Sequence, residues 1–70
     1  PNPVIDLLTI QSDLLIDQIN IYSLEGRLVD IQILGSALRH DVQLNLSAGL
    51  YILEGVQNQQ KQFTTKILVE

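Results

Sequence analysis

The apolar residues of this chain alternate with polar ones or form short blocks, and turn-forming residues separate the blocks every eight to twelve positions. This spacing is typical of strands in a β-sandwich or barrel, not of helices. We therefore predict an all-β fold, a small antiparallel immunoglobulin-like β-sandwich of six to seven strands, formed by residues 1–70 as one domain. The predicted strands are Val4–Ile10, Ile16–Tyr22, Arg27–Leu34, Asp41–Leu46, Leu50–Val56 and Lys61–Glu70.

Alternation also predicts which side chains enter the core. In the third strand Val29, Ile31 and Ile33 share the face that we expect to point inward. The same holds for three further groups: Ile19 and Ile21; Val42, Leu44 and Leu46; and, in the last strand, Phe63, Thr65, Ile67 and Val69. Between the third and fourth strands we expect a loop over residues 35–40. A seventh strand depends on how residues 13–16 break, and helix over residues 13–20 is disfavoured by the β-branched neighbours.

Two glycines and a tyrosine indicate turns. Gly26 ends a short loop between two alternating runs, and Gly49 precedes a nearly all-apolar run. We expect positive φ at both, because glycine tolerates that conformation. Tyr51 opens the next strand, and in immunoglobulin-like sandwiches such a tyrosine bonds back to a nearby backbone group. We interpret it as a fold determinant in preference to a ligand-binding residue.

Composition and charge narrow the function classes. Ile, Val and Leu make up 27 of 70 residues, enough to exclude a disordered tail. The net charge is −4, and Arg27, Arg39, Lys61 and Lys66 are dispersed, so we expect no nucleic-acid partner. The longest apolar run is residues 50–53, which predicts no membrane insertion. No signal peptide opens the sequence, so export would require an N-terminal address on a longer precursor.

Reactive groups are sparse. His40 is the single histidine and there is no cysteine, which leaves no metal-ligand cluster or catalytic pairing in the sequence. We read His40 as a solvated loop residue. The carboxylates lack calcium-loop spacing, and the sequon at Asn45 falls on a solvent-facing strand position. These observations predict a protein that is not an enzyme and needs no cofactor.

Three ordered blocks resemble the C-terminal sorting domain of the Por (type IX) secretion system. The first is the Pro-Asn-Pro opening with its following aspartate and leucine, the second the Ile-Tyr-x-x-x-Gly-x-x-Val hairpin, and the third the Leu-x-x-Gly-x-Tyr corner. The matching positions are Pro1, Asn2, Pro3, Asp6, Leu8, Ile21, Tyr22, Gly26, Val29, Leu46, Gly49 and Tyr51, with Lys66 in the closing segment. The family usually ends in a basic residue, whereas this sequence ends in Glu70.

The resemblance implies a non-catalytic secretion signal. It would direct an N-terminal cargo protein to the outer-membrane translocon and its shuttle components, and a sortase-like protease would then remove it by cutting before Pro1. The expected location is the periplasm in transit, then the cell surface or medium. The alternative is an immunoglobulin-like binding or spacer module, for carbohydrate or protein, of a secreted enzyme; the absence of Trp weakens its carbohydrate form.

Overall fold

The structure is a computed structural model that describes residues 4–70, with side chains from Leu7 onward. It contains four β-strands, and they form one antiparallel sheet in the order β2-β1-β3-β4. The strands are β1 (Val4–Ser23), β2 (Leu28–Leu46), β3 (Gly49–Gln57) and β4 (Gln60–Val69). The all-β, antiparallel prediction is therefore confirmed.

The strand count differs from the prediction. The first two predicted strands are halves of β1, and the next two are halves of β2, so six segments become four strands. The loop predicted over residues 35–40 is wrong, because β2 continues through it: Ala37 pairs with Ile16 and Arg39 with Gln11. Polar and glycine residues mark these places as bends with shifted register. The specific immunoglobulin-like sandwich of six to seven strands is not confirmed.

The β1–β2 hairpin bends near its middle, so that one half packs over the face of the other. We call residues 4–11 with 39–46 its distal half, and residues 16–23 with 28–37 its proximal half. One core cluster combines distal and proximal residues with β3 and β4: Ile10, Val42, Leu44, Ile16, Ile19, Ile21, Leu53 and Val69. Gln32 of the proximal half also donates a hydrogen bond to the backbone oxygen of Gln43 in the distal half, at 3.0 Å. The core thus lies between two layers of the same bent sheet.

The predicted core face is right in the distal half of β2 and wrong in the proximal half. Val42 and Leu44 are buried, and Leu46 packs against the core, as expected. Ile31 and Ile33, however, are 50% and 75% exposed, and Val29 lies on their outer face with them. The polar residues between them face inward, where Asp30 pairs with Ile21 and Gln32 with Ile19. Alternation separates two faces of a strand but does not say which one is covered.

Two tight turns connect neighbouring strands. Gly26 has φ of 89°, and its N–H donates to the Ser23 carbonyl at 2.9 Å, which confirms the predicted turn between β1 and β2. Between β3 and β4 the two-residue loop Asn58–Gln59 has φ of 52° and 66°. Positive φ at both central residues is the geometry of a type I′ hairpin turn.

Candidate recognition surface

Tyr51 forms the corner that the sequence predicts. Its hydroxyl donates a hydrogen bond of 2.6 Å to the Ser47 carbonyl in the preceding turn. The ring is half-buried and packs against the core cluster. Gly49, with φ of 157°, lies beside it; a side-chain carbon there would meet the Tyr51 ring at 3.8 Å. The corner therefore fixes the turn between β2 and β3, and its polar group is used within the fold.

Tyr22 belongs to a polar network on the outer face of the sheet. Its hydroxyl donates to Glu54 at 3.3 Å, and the Asn20 amide donates to the same carboxylate oxygen at 2.9 Å. Gln18 in turn donates to Asn20 at 2.8 Å. Desolvation, followed by the negative charge of Glu54 and its hydrogen bond, raises the pKa of Tyr22 above its usual 10.0. Sequence reasoning singled out Tyr22 but missed Asn20 and Glu54, whose proximity depends on the β1–β3 register.

The other motif residues fall into separate environments. Ile21 is fully buried, while Leu8 and Leu46 are partly buried and pack against the core. Lys66 is exposed on β4 opposite Ile52, which pairs with Tyr22 on its other side. Two predicted groups remain: Asp6, whose backbone pairs with Leu44, and Pro1, Asn2 and Pro3, which lie outside the described residues. The structure brings Tyr22 and Lys66 to the outer face of the sheet, which Val29 shares, and leaves the rest dispersed.

Among the titratable residues, His40 lies at the bend of the sheet, and Arg39 and Asp41 form an ion pair on its surface. His40 lies in β2, half-buried, so its predicted loop position is wrong; its Nε2 is 2.8 Å from the Ile16 carbonyl at the bend. Arg39 and Asp41 make an exposed ion pair at 3.8 Å. Among the side chains that the structure describes, from Leu7 to Glu70, no group of three His, Asp or Glu could hold a metal ion. That part of the chain also contains no helix long and apolar enough to cross a bilayer.

Together these features define a small antiparallel β protein whose polar side chains serve turns, bends and the sheet surface. A sequence model of the family described as the secretion system C-terminal sorting domain matches residues 1–70. The chain therefore belongs to this family, the C-terminal sorting signals of type IX (Por) secretion, and the match implies an exported protein that interacts with the type IX machinery. No curated protein and no solved structure matches the chain.

Proposed function

We propose that residues 1–70 form a sorting domain that directs an N-terminal cargo protein to the type IX outer-membrane translocon. The observation that carries this proposal is the family match over residues 1–70. Shuttle components and the translocon read the folded domain in the periplasm, and the cargo then reaches the cell surface or the medium. A sortase-like protease removes the domain by cutting before Pro1.

The surface of the domain carries exposed apolar side chains that a partner protein could bind. Large apolar side chains remain exposed on the proximal half of the β1–β2 hairpin and on its turn, including Leu24, Leu28, Ile31 and Ile33. Neighbouring exposed apolar residues commonly mark protein interaction sites. Among the described residues, no buried side-chain polar atom is left without a hydrogen-bond partner. The described interior therefore has no unpaired polar group that could bind a substrate. These features fit an address that is bound as a folded object.

The export test uses a fluorescent reporter that is directed to the periplasm of the native type IX host. Three fusions are compared: the reporter with residues 1–70, the reporter with residues 1–65, and the reporter alone. We expect surface or medium fluorescence only with residues 1–70, because the deleted segment contains buried Val69. If a folded complete domain leaves the reporter in the periplasm, the binding or spacer module becomes the better interpretation.

Removal of the domain is measured on the same fusions. Mass spectrometry of the exported reporter should find its new C-terminus upstream of Pro1. Exported reporter that still carries residues 1–70 would contradict proteolytic removal while leaving the export role intact. A reporter fusion in a host lacking surface sortase activity is the control, and there the domain should stay attached.

A further inference from the structure

The two layers of the bent sheet differ in width. The sheet is four strands wide, whereas the distal half that folds over it supplies two, β1 residues 4–11 and β2 residues 39–46. β3 pairs with β1 only from Gln18 to Ser23. Within residues 4–70, the edge of β1 that faces away from β2 therefore carries no neighbouring strand over residues 4–11.

An apolar groove runs along this unpaired edge. A cavity of about 300 Å³ has residues 8–11 of β1 on one side and the inner face of β4 on the other. Leu53 forms part of its lining, together with Phe63, Thr65 and Ile67 from β4. Past Gln11 a second hollow of about 360 Å³ adjoins Phe63 and is lined by residues 11–14. We call the two hollows together the β1–β4 groove.

The chemistry of the groove suits an extended peptide. An unpaired strand edge presents backbone N–H and C=O groups, which a further strand can pair with. Apolar side chains at alternate positions of that strand would point toward Ile10, Leu53 and Ile67. Asp13 is the one charged side chain among the groove residues, so a basic residue in the peptide fits that end.

We propose that the β1–β4 groove binds an extended segment of a partner protein, which adds as a strand beside residues 4–11 of β1. The segment is apolar at alternate positions and carries Lys or Arg near Asp13. This inference rests on the proposed function, because the partner is then a component of the export machinery. A second copy of this chain fits less well, because each copy carries a net charge of −4 and the two would repel.

A peptide titration tests the groove directly. The probe is the synthetic peptide Lys-Thr-Val-Thr-Val-Thr-Val, and its control is Lys-Thr-Thr-Thr-Val-Val-Val, which has the same composition without alternation. Amide NMR signals of ¹⁵N-labelled chain should shift at residues 8–14 and 63–67 with the alternating peptide alone. Equal binding of both peptides, shifts centred on the β2 edge, or no binding at millimolar concentration would each overturn the inference.

Neighbouring threonines of β4 provide a matched pair of variants. Thr65 and Thr64 are both exposed, but Thr65 lines the groove whereas Thr64 points to the other face, opposite Glu54. T65K places a charge where an apolar side chain of the peptide would lie. It should therefore lower the affinity for the alternating peptide by at least about tenfold. T64K should leave affinity unchanged. Equal affinity of the two variants, with far-UV circular dichroism showing both folded, would contradict groove binding.

A third variant, D13N, tests the charged end of the groove. It should reduce the preference for the Lys-containing peptide over the same peptide with Glu in place of Lys. An unchanged preference would contradict the role of Asp13. Light scattering completes the set: a wild-type dimer that T65K dissociates would place a second copy in the groove and overturn the proposed occupant.

The reporter fusions separate this inference from the proposed function. Export of wild type and T64K, but not of folded T65K, supports both. Export of all three overturns the groove as the recognition site and leaves the sorting function standing. If wild type is not exported, the sorting function fails, and the peptide titration decides alone whether the groove binds a strand.

Discussion

Gly55 lies directly under the ring of Phe63, its cross-strand partner on β4. A side-chain carbon at Gly55 would lie 2.5 Å and 2.6 Å from two ring atoms of Phe63, and 3.1 Å from Ile16. The Phe63 ring therefore packs on the backbone of Gly55, and a larger residue at this position would push the ring away. Nothing in the local sequence signals this requirement, because Phe63 is eight positions away and reaches Gly55 only through the β3–β4 register.

We expect G55A to destabilise the protein by about 1–3 kcal/mol, the usual cost of overpacking a well-filled site. G35A is the matched control, because the same added carbon at Gly35 meets no atom within 4 Å. Urea denaturation followed by circular dichroism measures both free energies of unfolding. Equal values for the two variants would show that Phe63 moves aside without cost.

The Tyr51 hydroxyl has a short bond to a backbone carbonyl, whereas the Tyr22 hydroxyl has a long one to a carboxylate. Y51F should lose about 1 kcal/mol, the usual net contribution of one hydrogen bond. Y22F, with the same atom removed, should lose less. The two midpoints in chemical denaturation compare them, and an unchanged midpoint for Y51F would remove the energetic basis of the corner.

At the scale of elements, the turn between β3 and β4 is not built from its best residues. Asn58 tolerates positive φ, but Gln59 has φ of 66°, a conformation that is costly for residues with a side chain. Asn-Gly is the preferred pair for a type I′ turn. The predicted strands Leu50–Val56 and Lys61–Glu70 leave residues 57–60 for a turn, and the structure places it there; the pattern does not show that Asn58 and Gln59 both have positive φ.

Q59G should therefore stabilise the β3–β4 hairpin by about 0.5–1 kcal/mol. Q60G is the control, because Gln60 is the first residue of β4, and glycine in a strand lowers stability. Thermal unfolding should show a higher midpoint for Q59G and a lower one for Q60G. A lower midpoint for Q59G would mean that the extra freedom of glycine in the unfolded chain outweighs the relief of strain.

The strands themselves were predictable where the signal is local. The alternation at Val42 and Leu44, the turn at Gly26 and the corner at Tyr51 each depend on a few neighbouring residues, and each agrees with the structure. The inward face of residues 28–34 was not predictable in this way. It depends on where the distal half of the hairpin lies, and the inward Gln32 is satisfied by a backbone oxygen eleven residues later.

The candidate recognition residues also divide into those that the sequence identifies and those that only the fold reveals. The family motifs located Tyr22 and the two turn glycines, because motif residues are read from the sequence directly. The β1–β4 groove has no sequence signature of its own: Ile10, Leu53 and Ile67 come from three strands and meet only through the folded hairpin. Its recognition requires the layer arrangement, which is a long-range property of the chain.

At the scale of the whole molecule, each of the four strands contributes at least one buried residue to a common core cluster, so the strands depend on one another for their burial. Val69, near the end of β4, is 1% exposed, while its neighbour Leu68 on the opposite face is 58% exposed. A chain of this size has little stability to spare. Loss of one buried side chain at the end of the last strand should therefore affect the entire fold.

The final prediction compares V69A with L68A in both stability and export. V69A leaves a cavity in the common core and should cost about 1–3 kcal/mol, whereas L68A removes exposed atoms and should cost less than about 0.5 kcal/mol. Circular dichroism melts measure stability, and the periplasmic reporter fusion in the native host measures export. If the machinery binds a folded surface, as we propose, export should fall with the folded fraction of V69A and persist in L68A. Full export of an unfolded V69A fusion would show that a linear segment, not the folded sheet, is the address.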